Sequence, residues 1–148
     1  MPGLKGILKD PLLSVVMPVY NERDTIEEII RRVLAVPMRI QLIVVDDGSK
    51  DGTREILSRL AGELSFKLVF QPKNAGKGSA LRRGFQEVSG DLVVIQDADL
   101  EYDPSEYPKV LGPLLARAGR ARGPDGAGDF NPTERGTVGQ ARDANSRG

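Results

Sequence analysis

The stretch LLSVVMPVYNERDTIEEIIRRVLAV, Leu12 to Val36, changes its hydrophobic period once, and that change decides the fold. Residues 12–19 are short, apolar and valine-rich, and the run stops at a proline. Such a run predicts a strand buried on both faces. Past Asn21 the period becomes helical: Ile26, Ile29, Ile30, Val33 and Leu34 share one face, Glu27 and Glu28 fall in the first turn, and Asn21 and Asp24 suit capping.

The same alternation repeats downstream. QLIVVDDGS predicts a second strand, Leu42 to Val45, and residues 53–64 a helix with Ile56, Leu57 and Leu60 on its face. Residues 67–71 read as a third strand. The loop PKNAGKG leads into a helix over 79–88 with Leu81, Phe85 and Val88 on one side. Residues 91–96 read as a fourth strand and 104–115 as a further helix, its length left open by Pro108 and Gly112. Strand and helix in strict alternation predict an α/β, Rossmann-like architecture with a mainly parallel sheet.

Composition narrows the chemistry. The 148 residues suit one domain. Lys plus Arg and Asp plus Glu are equal at 21, so no global field recruits nucleic acid, and no nucleic-acid partner is expected. Cysteine and histidine are both absent, which excludes thiol catalysis, thiolate metal sites and the commonest general base. Chemistry must therefore run on carboxylates, Lys, Arg, Tyr and the backbone. The N-terminus holds no uninterrupted apolar core and reads as neither signal peptide nor membrane span, so a cytoplasmic chain is expected.

After Leu115 the chain becomes rich in Gly and Arg, loses periodic apolar residues and contains no lysine. It divides accordingly into an N-terminal extension (1–11), a domain (12–115) and a tail (116–148) expected to be disordered. Acids in the tail dilute its arginines, so an unstructured tail is favoured over an anion-binding one.

Three polar clusters follow strands: PVYNE, DDGS and DADLEYD. Ligands in open α/β sheets bind at the carboxyl ends of strands, so convergence there points to a site. Asp51 and Asp103 are read as turn formers and helix caps. Asp97 and Asp99 differ, because side chains two apart on a strand face the same way. Two carboxylates aimed at one point repel unless a cation lies between them. A hard divalent ion resolves the conflict, and Glu101 is in phase to add a third oxygen.

Nearby glycine motifs fail their own tests. Gly76-Lys77 is followed by Gly78, and Gln71 stands where a P-loop needs glycine. Leu81 replaces the third glycine of a dinucleotide fingerprint, and Ser58 replaces the Glu that would close an EF-hand. Lys77 is left either as a phosphate or sugar contact or as a cation on a solvated loop.

Taken in order, PVYNE, VVDDGSKDGT, NAGKGSALRRGF and GDLVVIQDADLEYDP resemble the family-2 inverting glycosyltransferases. The resemblance runs from about Leu12 to Leu115 and is strongest to the branch that loads sugars onto polyprenyl phosphates, dolichyl-phosphate mannosyltransferase among them. It implies a GT-A fold whose nucleotide-sugar-binding half this chain carries, a donor such as GDP-mannose or UDP-glucose, and Mg²⁺ or Mn²⁺. By position, Pro18, Tyr20 and Glu22 would line the nucleotide pocket, although Pro18 also reads as a strand stop and Tyr20 as core packing. Val45, Asp46 and Asp47 would hold base and ribose. Asp97, Ala98 and Asp99 would meet the diphosphate, with Asp97, Asp99 and Glu101 at the metal.

The implied reaction moves a hexose, mannose or glucose, to a polyprenyl or dolichyl phosphate with inversion. The acceptor is already an anionic nucleophile, so no strong base is demanded. It would place the chain at the cytoplasmic membrane surface, with a membrane subunit as a possible partner. The acceptor-side segment of the family has no recognisable counterpart, and the Gly/Arg tail begins where it should stand, as expected of a truncated or frame-shifted end. The catalytic residues on that side are therefore unassigned. The alternative is a non-catalytic fragment that binds nucleotide sugar and metal; a flavodoxin-type domain is the weaker third reading.

Overall fold

The computed structural model describes residues 10–113 and 137–140. Its strands are β1 (Leu12–Val19), β2 (Arg39–Asp46), β3 (Lys67–Phe70), β4 (Leu92–Ile95) and β5 (Thr137–Gln140). Helices α1 (Ile26–Leu34), α2 (Thr53–Glu63) and α3 (Lys77–Phe85) connect the first four. All strand pairs are parallel, in the order β3-β2-β1-β4-β5.

Alternation along buried strands sorts the core into two layers. Leu13, Val15, Met17, Leu42, Val44, Leu92 and Val94 face α1, α2 and the chain after β4, where Ile26, Ile29, Ile30, Val33, Leu57, Leu60, Tyr107 and Leu111 pack. Val16, Ile43, Val45, Val69 and Val93 face Ala80 of α3 on the other side. Helices on both faces explain why these strands are apolar throughout rather than alternating.

The expected architecture is observed, with instructive shifts at element ends. β2 begins at Arg39 rather than Leu42, because β1 pairs with it residue by residue from Leu12↔Arg39 to Val19↔Asp46. Backbone pairing admits Arg39 and Gln41, which a hydrophobic pattern leaves out. Helix α1 starts at Ile26, not at Asn21. Asn21 takes a left-handed conformation (φ 52°), and its Oδ1 accepts from Lys50 N at 2.9 Å. It ties two loops together instead of capping the helix.

The buried face of α3 also differs from expectation. Ala80 and Gly84 are buried, while Phe85 is 42% exposed. A Cβ at Gly84 would lie 2.6 Å from Val16 Cγ1, so the helix approaches the sheet more closely than a Leu/Phe stripe would permit.

After β4, Asp103 accepts from Ser105 N at 3.0 Å and caps a short 3₁₀ turn, Pro104–Glu106, that continues as helix over 107–113. That is the capping role expected of Asp103. Thr137–Gln140, read from composition as part of a structureless tail, instead pair with β4. An open parallel edge offers backbone partners whatever the side-chain pattern, which composition cannot reveal. The remainder of that tail, 116–136 and 141–148, and most of the N-terminal extension lie outside the described residues. No described helix is long and apolar enough to cross a membrane.

Candidate functional site

Strand order reverses beside β1: β2 and β3 extend one way, whereas β4 lies on the other side. Such a switch point opens a crevice at the carboxyl ends of the strands. A cavity of about 400 Å³ lies there, with Pro18, Tyr20 and Glu22 from the end of β1, Asp47 after β2, Lys77 of α3, and Asp97, Ala98 and Asp99 after β4 in its lining. Eight residues singled out in the sequence, from Pro18 to Asp99, thus meet in one place.

The loop after β1 is fixed from the β2 side. Asn21 N donates to Ser49 Oγ at 2.8 Å and Glu22 N to Thr53 Oγ1 at 3.0 Å. Asp51 in turn accepts from Thr53 N at 3.0 Å, the turn-forming role expected of it. Glu22 accepts from Thr25 Oγ1 at 3.1 Å. Burial raises its carboxyl above the usual range; the Thr25 contact opposes that, and the charges of Asp99, Asp51 and Asp97 add to it.

Asp46 and Asp47 divide their work. Asp46 is fully buried outside the cavity lining, accepting from Gly48 N at 3.1 Å and Ser49 N at 3.0 Å, with Arg54 Nε at 3.5 Å. It shapes the DDGS turn, and Val45 is buried beneath α3. Neither is among the residues that line the cavity. Asp47 does line it, yet its oxygens accept from Ala75 N (2.9 Å), Gly76 N (2.9 Å) and Gln71 Nε2 (3.0 Å). That carboxylate clamps the NAGKG loop against the end of β2.

The acidic loop after β4 is not a strand continuation. β4 ends at Ile95, and 98–102 form bends, with Leu100 left-handed at φ 62°. Asp97 and Asp99 still share the cavity, but a turn brings them there rather than strand alternation. Glu101 therefore loses its phase. Its amide returns to Asp99 Oδ1 at 3.1 Å, and it stands outside the lining. Lys77 Nζ lies 2.8 Å from Asp97 Oδ1, so the loop cation is engaged at the acidic end of the cavity rather than merely solvated.

Three residues that hold this site escape motif reasoning. Gln96, fully buried, donates from Nε2 to Asp97 O (3.1 Å) and Tyr102 O (3.2 Å), and its Oε1 accepts from Tyr107 Oη. Thr25 Oγ1 donates to Ala98 O at 2.7 Å. Asn74 joins the lining. Gln96 had a signal available, since a polar residue closing an apolar strand needs buried partners. Thr25 had none, because its partner lies 73 positions away.

The model of the family described as glycosyl transferase family 2 matches residues 14–135. Dolichol-phosphate mannosyltransferase of Pyrococcus furiosus is 39% identical over 101 residues, covering 67% of this chain and 29% of that protein. Undecaprenyl-phosphate 4-deoxy-4-formamido-L-arabinose transferase of Pseudomonas syringae pv. syringae is 38% identical over 105 residues, covering 67% and 31%. The chain thus spans less than a third of the length of these two relatives. A mannosyltransferase of Pyrobaculum calidifontis, solved with GDP-Man and Mn²⁺, superposes with a TM-score of 0.60 at 27% identity over 84% of this chain and 37% of that one. Glucosyl-3-phosphoglycerate synthase of Mycobacterium tuberculosis, solved with Mn²⁺ and UDP-glucose, gives 0.59 at 34% over 77% and 43%. The GT-A-like α/β fold is shared with both.

Proposed function

The chain belongs to glycosyl transferase family 2, and from that premise we propose that its cavity is the donor site of a hexosyltransferase. The donor would be a nucleotide-diphosphate sugar such as GDP-mannose or UDP-glucose, and the acceptor a polyprenyl phosphate at a membrane surface. The observation that carries the reading is the meeting of Pro18, Tyr20, Glu22, Asp47, Lys77, Asp97, Ala98 and Asp99 around one cavity at the switch point. The neighbours solved with GDP-Man or UDP-glucose and Mn²⁺ support it.

The residues fit a hard divalent ion, Mg²⁺ or Mn²⁺. Asp97 and Asp99 supply carboxylate oxygens to the same cavity. Among the described residues no group of three or more His, Cys, Asp or Glu gathers as a metal site. Two carboxylates with the remaining positions left to phosphates and water is the arrangement such ions accept beside a nucleotide. Glu101 stands outside the cavity lining, so Asp97 and Asp99 are the protein ligands of this reading. When bound, the ion supplies Lewis-acid stabilisation of the departing diphosphate. Tyr20 and Pro18 form the wall for the nucleoside, and Asp47 holds the loop that closes the far side.

A second reading, donor binding without turnover, is favoured by one observation: seven of the eight assembled residues, all but Lys77, are ones that the resemblance assigns to the donor. Transfer of radiolabelled mannose from GDP-mannose, or glucose from UDP-glucose, to a short polyprenyl phosphate separates the two. Label in the lipid fraction, abolished by Asp99→Ala, is the expected result. Donor binding without label would support the second reading, and neither binding nor transfer would end both.

A further inference from the structure

The contact between Lys77 and Asp97 has consequences beyond lining a pocket. Lys77 Nζ lies 2.8 Å from Asp97 Oδ1, with the lysine side chain 41% exposed and the aspartate 12%. Both backbones are held: Asp47 grips Ala75 N and Gly76 N just before Lys77, and Gln96 Nε2 holds the carbonyl of Asp97. The flexible four-carbon stem of Lys77 is the part able to move.

Asp97 cannot serve an ammonium and a divalent ion equally. With Asp97 and Asp99 facing one cavity beside Glu22, a positive charge is needed to relieve repulsion. Lys77 supplies such a charge at Asp97. A divalent ion seated at the same carboxylate would stand within a few ångströms of the ammonium, and like charges that close repel strongly in a partly buried setting. A nucleotide diphosphate entering with the ion brings oxygens that can take the displaced ammonium.

We propose that Lys77 is an exchangeable counter-cation: it occupies Asp97 when the cavity is empty and passes to the diphosphate when a divalent ion takes its place. The proposal rests on the donor-site reading. It makes metal and nucleotide bind cooperatively, because each relieves the cost that Lys77 imposes on the other. Metal alone must displace the lysine, whereas metal with diphosphate gives it a new partner.

Titration of the full chain with Mn²⁺ alone, followed by the electron paramagnetic resonance of free Mn²⁺, tests this without any turnover. Lys77→Met is expected to bind Mn²⁺ about two- to fivefold more tightly than wild type, the range an ion pair of this exposure is worth. It is also expected to bind GDP or UDP more weakly at saturating Mn²⁺. Lys77→Gln provides a second neutral side chain and should behave alike, while Lys77→Arg, keeping the charge, should match wild type. Mn²⁺ affinity unchanged or reduced in both neutral variants would overturn the proposal and leave the donor site standing. Absence of Mn²⁺ binding by wild type and variants alike would remove the donor-site reading and this proposal with it.

Discussion

Glu22 shows how a single side chain in the cavity opposes the stability of the fold. Its folded-state pKa is raised above the ordinary 4.5, first by burial and then by Asp99, Asp51 and Asp97, with Thr25 pulling the other way. A carboxyl raised in the folded state binds protons there that the unfolded chain has already released. Stability therefore falls as pH rises from the unfolded value through the raised one. In metal-free buffer Glu22→Gln should be more stable than wild type at pH 7, and urea unfolding should show the difference shrinking toward about pH 4. A difference that is constant with pH would assign the gain to packing instead. The neighbouring lesson is Asp47, whose type and position pointed to ligand binding while its three hydrogen bonds hold a loop.

Among elements, the loop after β4 depends on Gln96 more than on its own acids. Gln96→Leu would leave Tyr107 Oη and the carbonyls of Asp97 and Tyr102 without this amide, at about 2–3 kcal/mol for groups of this burial. Chemical denaturation should read that loss, and Mn²⁺ affinity should fall with it because Asp97 is no longer held. Helix α3 depends on a missing side chain. Gly84→Ala improves helix propensity but puts a methyl against Val16, whose branched side chain cannot swing aside. A net loss of about 1–2 kcal/mol in urea unfolding is expected. Gln96 carried a signal as a polar residue closing an apolar strand, but the role of Gly84 was not legible: the α3 pattern pointed to Leu81, Phe85 and Val88, while close approach selected Ala80 and Gly84. Periodicity reports which faces can be buried, and only the distance to the sheet decides which one is.

For the whole molecule, the alternation of strands and helices was legible because β1 to β4 pack apolar side chains on both faces and the helices between them on one. Element ends were less so, since β2 takes its length from β1 and β4 hands over to a turn at Gln96. The site was legible to the extent that its residues sit at strand ends. Pro18, Tyr20, Glu22, Asp97 and Asp99 meet there, whereas Val45 packs beneath α3, Asp46 is taken up by the DDGS turn and Glu101 leaves with the turn after β4. Eight residues around one crevice make a donor site the central claim. Isothermal calorimetry of the full chain with GDP and with UDP, each with and without Mn²⁺, tests it most directly. Binding of at least one nucleotide that requires Mn²⁺, and that weakens by at least about tenfold in Asp97→Ala and Asp99→Ala, is the predicted result. Binding indifferent to Mn²⁺ and to both substitutions, or no binding of either nucleotide, would contradict it.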